Sequence, residues 1–143
     1  MKILMKSSLV ALAVITSNFS LANDISSDFL QTEIEIAHKE YLHGSHEVAI
    51  FAMESIIRLQ ISDQSNDLLQ KIGPPSLSFS YIRLGFLYEK SGLKQEADKV
   101  FSHAISSYKS VSNGSETVTL KILKNYVNEL DAIAANRIFK SDS

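Results

Sequence analysis

The sequence predicts an all-α protein in which antiparallel helix hairpins stack on one another and a C-terminal helix caps the stack. In every periodic segment after residue 27, apolar side chains recur at the three- or four-residue spacing of one helix face, and no segment alternates as a strand does. Glycine, proline and polar clusters separate these segments, as they do where helices end. With 143 residues, the chain has the length of one domain.

Residues 1–22 have the pattern of a secretory signal peptide. Lys2 and Lys6 precede a short apolar run at 9–19, and small residues stand at the −3 and −1 positions of a cleavage site after Ala22. The apolar run is short for a membrane span, although an uncleaved anchor helix is the alternative. We therefore expect export to a bacterial periplasm or secretion, with 23–143 as the helical domain.

Composition excludes several classes of function. The chain has no cysteine, which excludes a disulfide scaffold, a thiol nucleophile, a cysteine metal cluster and a lipoprotein anchor. Removal of the leader would change the formal net charge from −2 to −4, and the lysines and arginines are scattered singly. Because nucleic-acid binding needs clustered cations, we expect no nucleic-acid partner.

The first two helices are predicted at 27–43 and 45–61. Their apolar stripes are Leu30, Ile34, Ala37, Tyr41 and Leu42, then Val48, Ala49, Phe51, Ala52, Ile56 and Leu59. Between the helices, Gly44 is expected to end the first in a left-handed conformation, and Ser45 to cap the second with its hydroxyl.

Helices three and four are predicted at 76–91 and 94–109, after an insertion at 62–75. The insertion ends in Pro74-Pro75, which cannot continue a helix, and has room for a short helical turn at 67–72. Gly92 is expected to take the left-handed conformation between the two helices.

A fifth helix is predicted at 116–138, after a polar loop at 110–115 that turns at Asn113-Gly114. Its apolar stripe is Val118, Ile122, Tyr126, Leu130 and Ile133. The residues expected to face water are Lys121, Lys124, Asn125, Asn128, Glu129 and Asp131. If this helix does not cap the stack, we expect a homodimer.

The segment 78–109 resembles a tetratricopeptide repeat (TPR). The resemblance rests on Tyr81, Leu84, Gly85 and Tyr88, followed by Gly92, Ala97, Phe101 and Ala104. Gly85 and Ala97 are small where two antiparallel helices cross, which lets the backbones approach. Tyr81 replaces the usual Trp of the family. Lys109 replaces its closing Pro, so the second helix can continue past its usual end.

A degenerate second copy of the repeat lies at 30–61. Ala37 and Gly44 stand 48 residues before Gly85 and Gly92, but Glu33 and Glu40 occupy positions where the family has aromatics. Stacks of this kind need about three units, so we expect the fifth helix to cap the second repeat.

The sequence offers little catalytic chemistry. His38, His43 and His46 cluster near one turn and could hold a divalent metal, but their spacing is not that of a helical zinc pair, and solvated turn histidines are the simpler interpretation. There is no nucleophile elbow or phosphate-binding glycine loop. His103 lacks an acidic partner one turn away. We expect neither a cofactor nor an enzymatic activity.

The resemblance also implies a binding face, because the first helix of each TPR lines a concave groove that holds peptides or partner proteins. By position, the groove would contain Ile34, His38, Tyr41, Phe79, Ile82, Phe86 and Lys90. The family's clamp for a C-terminal carboxylate is not implied, because Ile82 and Phe86 replace its polar residues. An apolar groove fits an amphipathic helix or an extended apolar segment. The alternative is that Phe79, Ile82 and Phe86 are core.

We therefore expect a secreted or periplasmic protein–protein interaction module that serves as a scaffold or adaptor for a protein of the cell envelope. The alternative is an inhibitor or immunity-type protein that blocks a toxin or cell-wall hydrolase, using the insertion at 62–75. Metal buffering by the turn histidines is a third hypothesis. No membrane span is expected once the leader is removed.

Overall fold

A computed structural model describes residues 26–63, 76–112 and 117–141. These ranges contain five α-helices and no strand, which confirms the all-α prediction. The helices are α1 (Ser27–His43), α2 (His46–Ser62), α3 (Ser76–Lys90), α4 (Lys94–Val111) and α5 (Leu120–Ser141). The expected signal peptide at 1–22, the expected turn at 67–72 and the Asn113-Gly114 turn lie outside the described residues.

Serine side chains cap the starts of α1 and α2, and a glycine ends α1. The Ser45 hydroxyl accepts a hydrogen bond from the Val48 amide at 3.4 Å, as predicted. The Ser26 hydroxyl accepts one from the Phe29 amide at 3.2 Å, a cap that is not among those predicted from the sequence. Gly44 is extended (φ −74°, ψ 170°), so the expected left-handed cap is wrong. A glycine still fits there because a Cβ would lie 2.6 Å from the Glu40 carbonyl oxygen.

The α3–α4 hairpin turns as predicted through a left-handed Gly92 (φ 74°). The Leu93 amide donates to the Tyr88 carbonyl at 2.9 Å, and the Gly92 amide donates to the Glu89 carbonyl at 3.1 Å. This pair of bonds is a Schellman motif, which satisfies carbonyls that the end of a helix leaves unpaired. After the turn, α4 continues to Val111, past the position of the missing proline.

Helix α3 is the centre of the stack, since it contributes to both hydrophobic clusters. Leu84 and Leu87 join the core of α1 and α2, whereas Ile82 joins the core of α4 and α5. The most extensive helix contact is between α3 and α4, followed by the α1–α2 and α2–α3 pairs. The helices α1 to α4 therefore form two antiparallel hairpins stacked side by side.

The α3–α4 crossing is close enough to need small side chains. A Cβ on Gly85 would overlap the ring of Phe101, and Ala97 is completely buried beside that ring. The buried Ser78 hydroxyl donates to the Ala104 carbonyl of α4 at 2.9 Å, so the two helices are also joined by a hydrogen bond.

Helix α5 differs from its prediction in both start and orientation. Thr119 caps it, accepting from the Ile122 amide at 3.3 Å, so the helix begins at Leu120 and not at 116. Ile122, Tyr126 and Ile133, three members of the predicted buried stripe, are about half exposed. The residues that α5 buries are Val118 just before the helix, then Leu123, Val127 and Asp131.

Candidate functional site

Helix α5 lies over the face that the sequence assigned to a partner groove. It packs on α3 and α4, and its Asp131 side chain accepts a hydrogen bond from His38 on α1. Phe79 contacts Tyr126 of α5, with ring centroids 5.6 Å apart. In this structure the chain's own last helix therefore occupies the place expected for a bound segment.

A buried polar cluster fastens α5 to the two hairpins. One oxygen of Asp131, Oδ1, accepts hydrogen bonds from Arg83 Nε at 3.0 Å, Arg83 Nη2 at 2.7 Å and His38 Nε2 at 3.1 Å. The side chains of Asp131 and Arg83 are only 11% and 12% exposed. We call His38, Tyr41, Arg83 and Asp131 the clasp. The expectation that Asp131 faces water is wrong, because Arg83 and His38 give its carboxylate buried partners.

The clasp holds the Asp131 carboxyl in its charged form. Burial by itself raises the pKa of this carboxyl, but the hydrogen bonds from His38 and Arg83 and the guanidinium charge outweigh burial. The pKa of Asp131 therefore lies below its ordinary value. Its second oxygen, Oδ2, is buried and makes no hydrogen bond of ordinary geometry with a described residue.

Tyr41 forms the aromatic wall of the clasp. Its ring stacks on His38 with centroids 6.2 Å apart, and the Arg83 guanidinium lies over it at 5.9 Å. Burial, together with the negative charge of Asp131, raises the pKa of Tyr41 to about 12, although the Arg83 charge opposes this. The Tyr41 hydroxyl is therefore neutral at physiological pH.

Lys124 fastens the other end of α5. Its ammonium group lies 3.9 Å from the centroid of the Phe101 ring and 5.6 Å from that of Phe86, and it pairs with Glu89 at 2.8 Å. The expectation that Lys124 faces water is therefore wrong, since its side chain is only 25% exposed. Burial of a lysine here is stabilised by cation–π attraction and by the ion pair.

The predicted groove residues are divided among different environments. Ile82 is completely buried, so it is a core residue, which is the alternative given for it above. Ile34, Phe79 and Phe86 are partly buried against the hydrophobic clusters, and Lys90 is exposed. His38 and Tyr41 belong to the clasp described above. Six of the seven predicted groove residues thus lie against α5 or in the core. That a partner protein binds to them stays a prediction.

The three turn histidines are separated. His38 bonds to Asp131, whereas His46 is hydrogen-bonded to the Ser91 hydroxyl at the end of α3. His43 lines a cleft between α1 and α5. Among the described residues, no group of three or more His, Asp or Glu side chains is arranged to hold a metal ion. His103 stacks on Tyr81, with ring centroids 5.4 Å apart.

No protein-family model, curated protein or solved structure matches this chain. In the part of the chain that the structure describes, no helix is both long enough and apolar enough to cross a membrane.

An exposed apolar surface runs along the outer side of the first hairpin. Phe29 and Ile36 of α1 are each 50% exposed, and Val48 and Phe51 of α2 are 47% and 67% exposed. We call these four residues the first-hairpin strip. Ile36, Val48 and Phe51 surround a hollow of about 290 Å³ between the two helices, on which Glu33 and Glu40 also lie.

The first-hairpin strip was missed as a site because Val48 and Phe51 fit the apolar period of α2 and were assigned to its buried stripe. The residues that α2 buries are Ala49, Met53, Ile56 and Ile57, on an adjacent face. One feature of the sequence does indicate an exposed apolar surface: the apolar residues of α2 cover a wider part of the helix circumference than packing against one neighbouring helix requires.

Proposed function

We propose that this chain is a non-catalytic protein-binding module that acts in a bacterial cell envelope and holds a helix of its partner on the first-hairpin strip. One observation carries the proposal: among the described residues, the outer side of the first hairpin exposes four large apolar side chains. Stacked-hairpin proteins need terminal units with a polar outer face to stay soluble. An end surface with Phe51 67% exposed therefore favours contact with another helix.

The geometry of the strip supports a helical partner. On one side α2 packs against α3, and on another side α1 and α2 leave a hollow between them. Ile36 and Phe51 form opposite walls of that hollow. An amphipathic helix lays its apolar face into such a groove through residues spaced three and four apart.

The charged residues around the hollow indicate which charge a partner helix would carry. Glu33 and Glu40 lie on the rim of the hollow, and among the residues that line it no cation balances them. The partner helix is therefore expected to carry lysine or arginine beside its apolar face. Charge complementarity of this kind contributes to association rate and specificity more than to affinity.

A pair of designed peptides tests the docking surface. Both would form amphipathic helices with the same apolar face, one flanked by lysines and the other by glutamates, with binding measured by fluorescence anisotropy. We expect the lysine-flanked peptide to bind at least tenfold more tightly. Glu33→Lys should narrow or invert that preference, because it reverses one of the two rim charges.

Matched variants separate docking from folding. Phe51→Asp should abolish binding and leave the melting temperature unchanged, since the side chain is mostly exposed. Ile122→Asp, on the outer side of α5 with 52% exposure, is the control and should bind as the wild type. Equal binding by Phe51→Asp and the wild type, or no discrimination between the peptides, would overturn this docking surface.

The envelope location is tested independently. Residues 1–22 fused to a reporter that folds only after export should place it in the periplasm, and Lys2→Glu with Lys6→Glu should reduce that export. A photo-crosslinking residue at position 51 in the full chain should then trap a partner in the envelope fraction, whereas the same residue at position 122 should not. Cytoplasmic retention of the reporter would contradict the proposed location.

A further inference from the structure

A second concave surface lies between α1 and α5, on a different face of α1 from the first-hairpin strip. It is an open cleft of about 790 Å³, within the range of small-molecule sites. Its apolar walls are formed by Leu42 of α1 and by Leu130, Ile133 and Ala134 of α5. Ile133 is 51% exposed, so this wall has an apolar surface that no other described residue covers fully.

The clasp borders this cleft. Helix α5 packs mainly on α3 and α4, and Asp131 of α5 accepts a hydrogen bond from His38 of α1. His38 contributes to the cleft wall as well as to the clasp. Away from this bond α1 and α5 face each other across the cleft, where apolar side chains and charged side chains both line its walls.

The rim of the cleft is basic. Lys39 and Arg137 lie on opposite helices, His43 is beside Lys39 on α1, and Glu35 is the only acidic residue among those that line the cleft. Glu35 accepts a hydrogen bond from Gln31 at 3.2 Å, one turn back along α1. The two permanent cations therefore exceed the acidic charge, which favours an anionic group at the mouth.

The geometry points to a binding site for a single-chain anionic amphiphile, with its alkyl chain against Leu42, Leu130 and Ile133 and its acidic head between Lys39 and Arg137. An apolar interior with a few charged groups at one position is the usual composition of a ligand site. A guanidinium matches a carboxylate or phosphate head in shape and charge. This inference does not depend on the first-hairpin strip.

The probe is a series of saturated fatty acids below their micellar concentrations, with binding to the purified protein measured by calorimetry. Dodecanoate should bind, whereas dodecanol and dodecyltrimethylammonium should bind at least tenfold more weakly. Shortening the chain by two CH₂ groups should weaken binding about tenfold, because each buried CH₂ contributes a nearly constant increment. Equal affinity for the three head groups would overturn the assignment.

Exposed substitutions locate the site without disturbing the fold. Arg137→Glu and Lys39→Glu should each weaken dodecanoate binding at least fivefold, and Ile133→Asp should abolish it. Lys121→Glu, which makes the same charge change elsewhere on α5, should bind as the wild type. Unchanged binding by the three cleft variants, or binding to anionic vesicles with none to monomeric dodecanoate, would overturn the proposal.

Discussion

Gly85 of α3 lies directly against the ring of Phe101 of α4, so that a Cβ at position 85 would overlap the ring. Phe101 is 2% exposed. The ring of Phe86 packs edge to face with it, with centroids 6.1 Å apart, and Lys124 of α5 lies over it. The ring has little freedom to move away. The closeness of the α3–α4 crossing therefore depends on the absence of a side chain at position 85.

Gly85→Ala is expected to destabilise the protein. At an open helical position the change would gain about 1 kcal/mol of helix propensity, but overpacking costs about 1–3 kcal/mol, so we expect a net loss in the free energy of unfolding of about 1 kcal/mol. Urea unfolding measures it. Phe101→Leu should relieve part of this loss in the double variant. A more stable Gly85→Ala variant would contradict the close crossing.

Asp131 and Arg83 are expected to show strong coupling in a double-mutant cycle. Arg83→Met or Asp131→Asn alone leaves the other group without its compensating charge, and each should lower the free energy of unfolding by about 3 kcal/mol. The double variant should lose clearly less than the sum of the two. Additive losses would mean that the clasp contributes no pairwise stabilisation.

The helices could be predicted from sequence, but the orientation of α5 could not. Gly92 and Ser45 mark helix ends by local chemistry, so neighbouring residues suffice to place them. On α5, the stripe through Ile122 and Tyr126 and the stripe through Leu123 and Val127 have the same helical spacing. The choice between them depends on partners from other helices.

The candidate sites were harder to predict for the same reason. In the sequence, nothing distinguishes Asp131 from an acidic residue that faces water. Its partner Arg83 lies 48 positions earlier, and only the fold brings the two side chains together. Phe51 has the spacing of a buried residue on α2. It is exposed because no further helix among the described residues covers the outer side of the first hairpin. Which apolar surfaces stay exposed can be determined only when the contacts between the helices are known.

Stability in acid is expected to depend on Asp131. Because the pKa of its carboxyl is lower in the folded state than the ordinary 3.8, its contribution is fully present above that pH and is lost as the pH falls through the folded-state pKa. Asp131→Asn should therefore flatten the decrease in melting temperature below about pH 4. The control is Asp98→Asn, at an exposed position on α4, which should follow the wild-type profile.

Lys124 and Lys121 provide a matched test of how α5 is attached, since they lie on the same helix and only one contacts the core. Lys124→Ala removes the ammonium from the Phe101 ring, breaks the ion pair with Glu89 and uncovers apolar surface, which should lower the free energy of unfolding by about 1–2 kcal/mol. Lys121→Ala, at an exposed position, should change it by less than about 0.5 kcal/mol. High salt screens the Glu89 pair more than the ring contact, so most of the Lys124→Ala loss should persist in 1 M salt, where the Debye length is about 3 Å. Equal effects of the two substitutions would show that the contacts of Lys124 do not contribute to the attachment of α5.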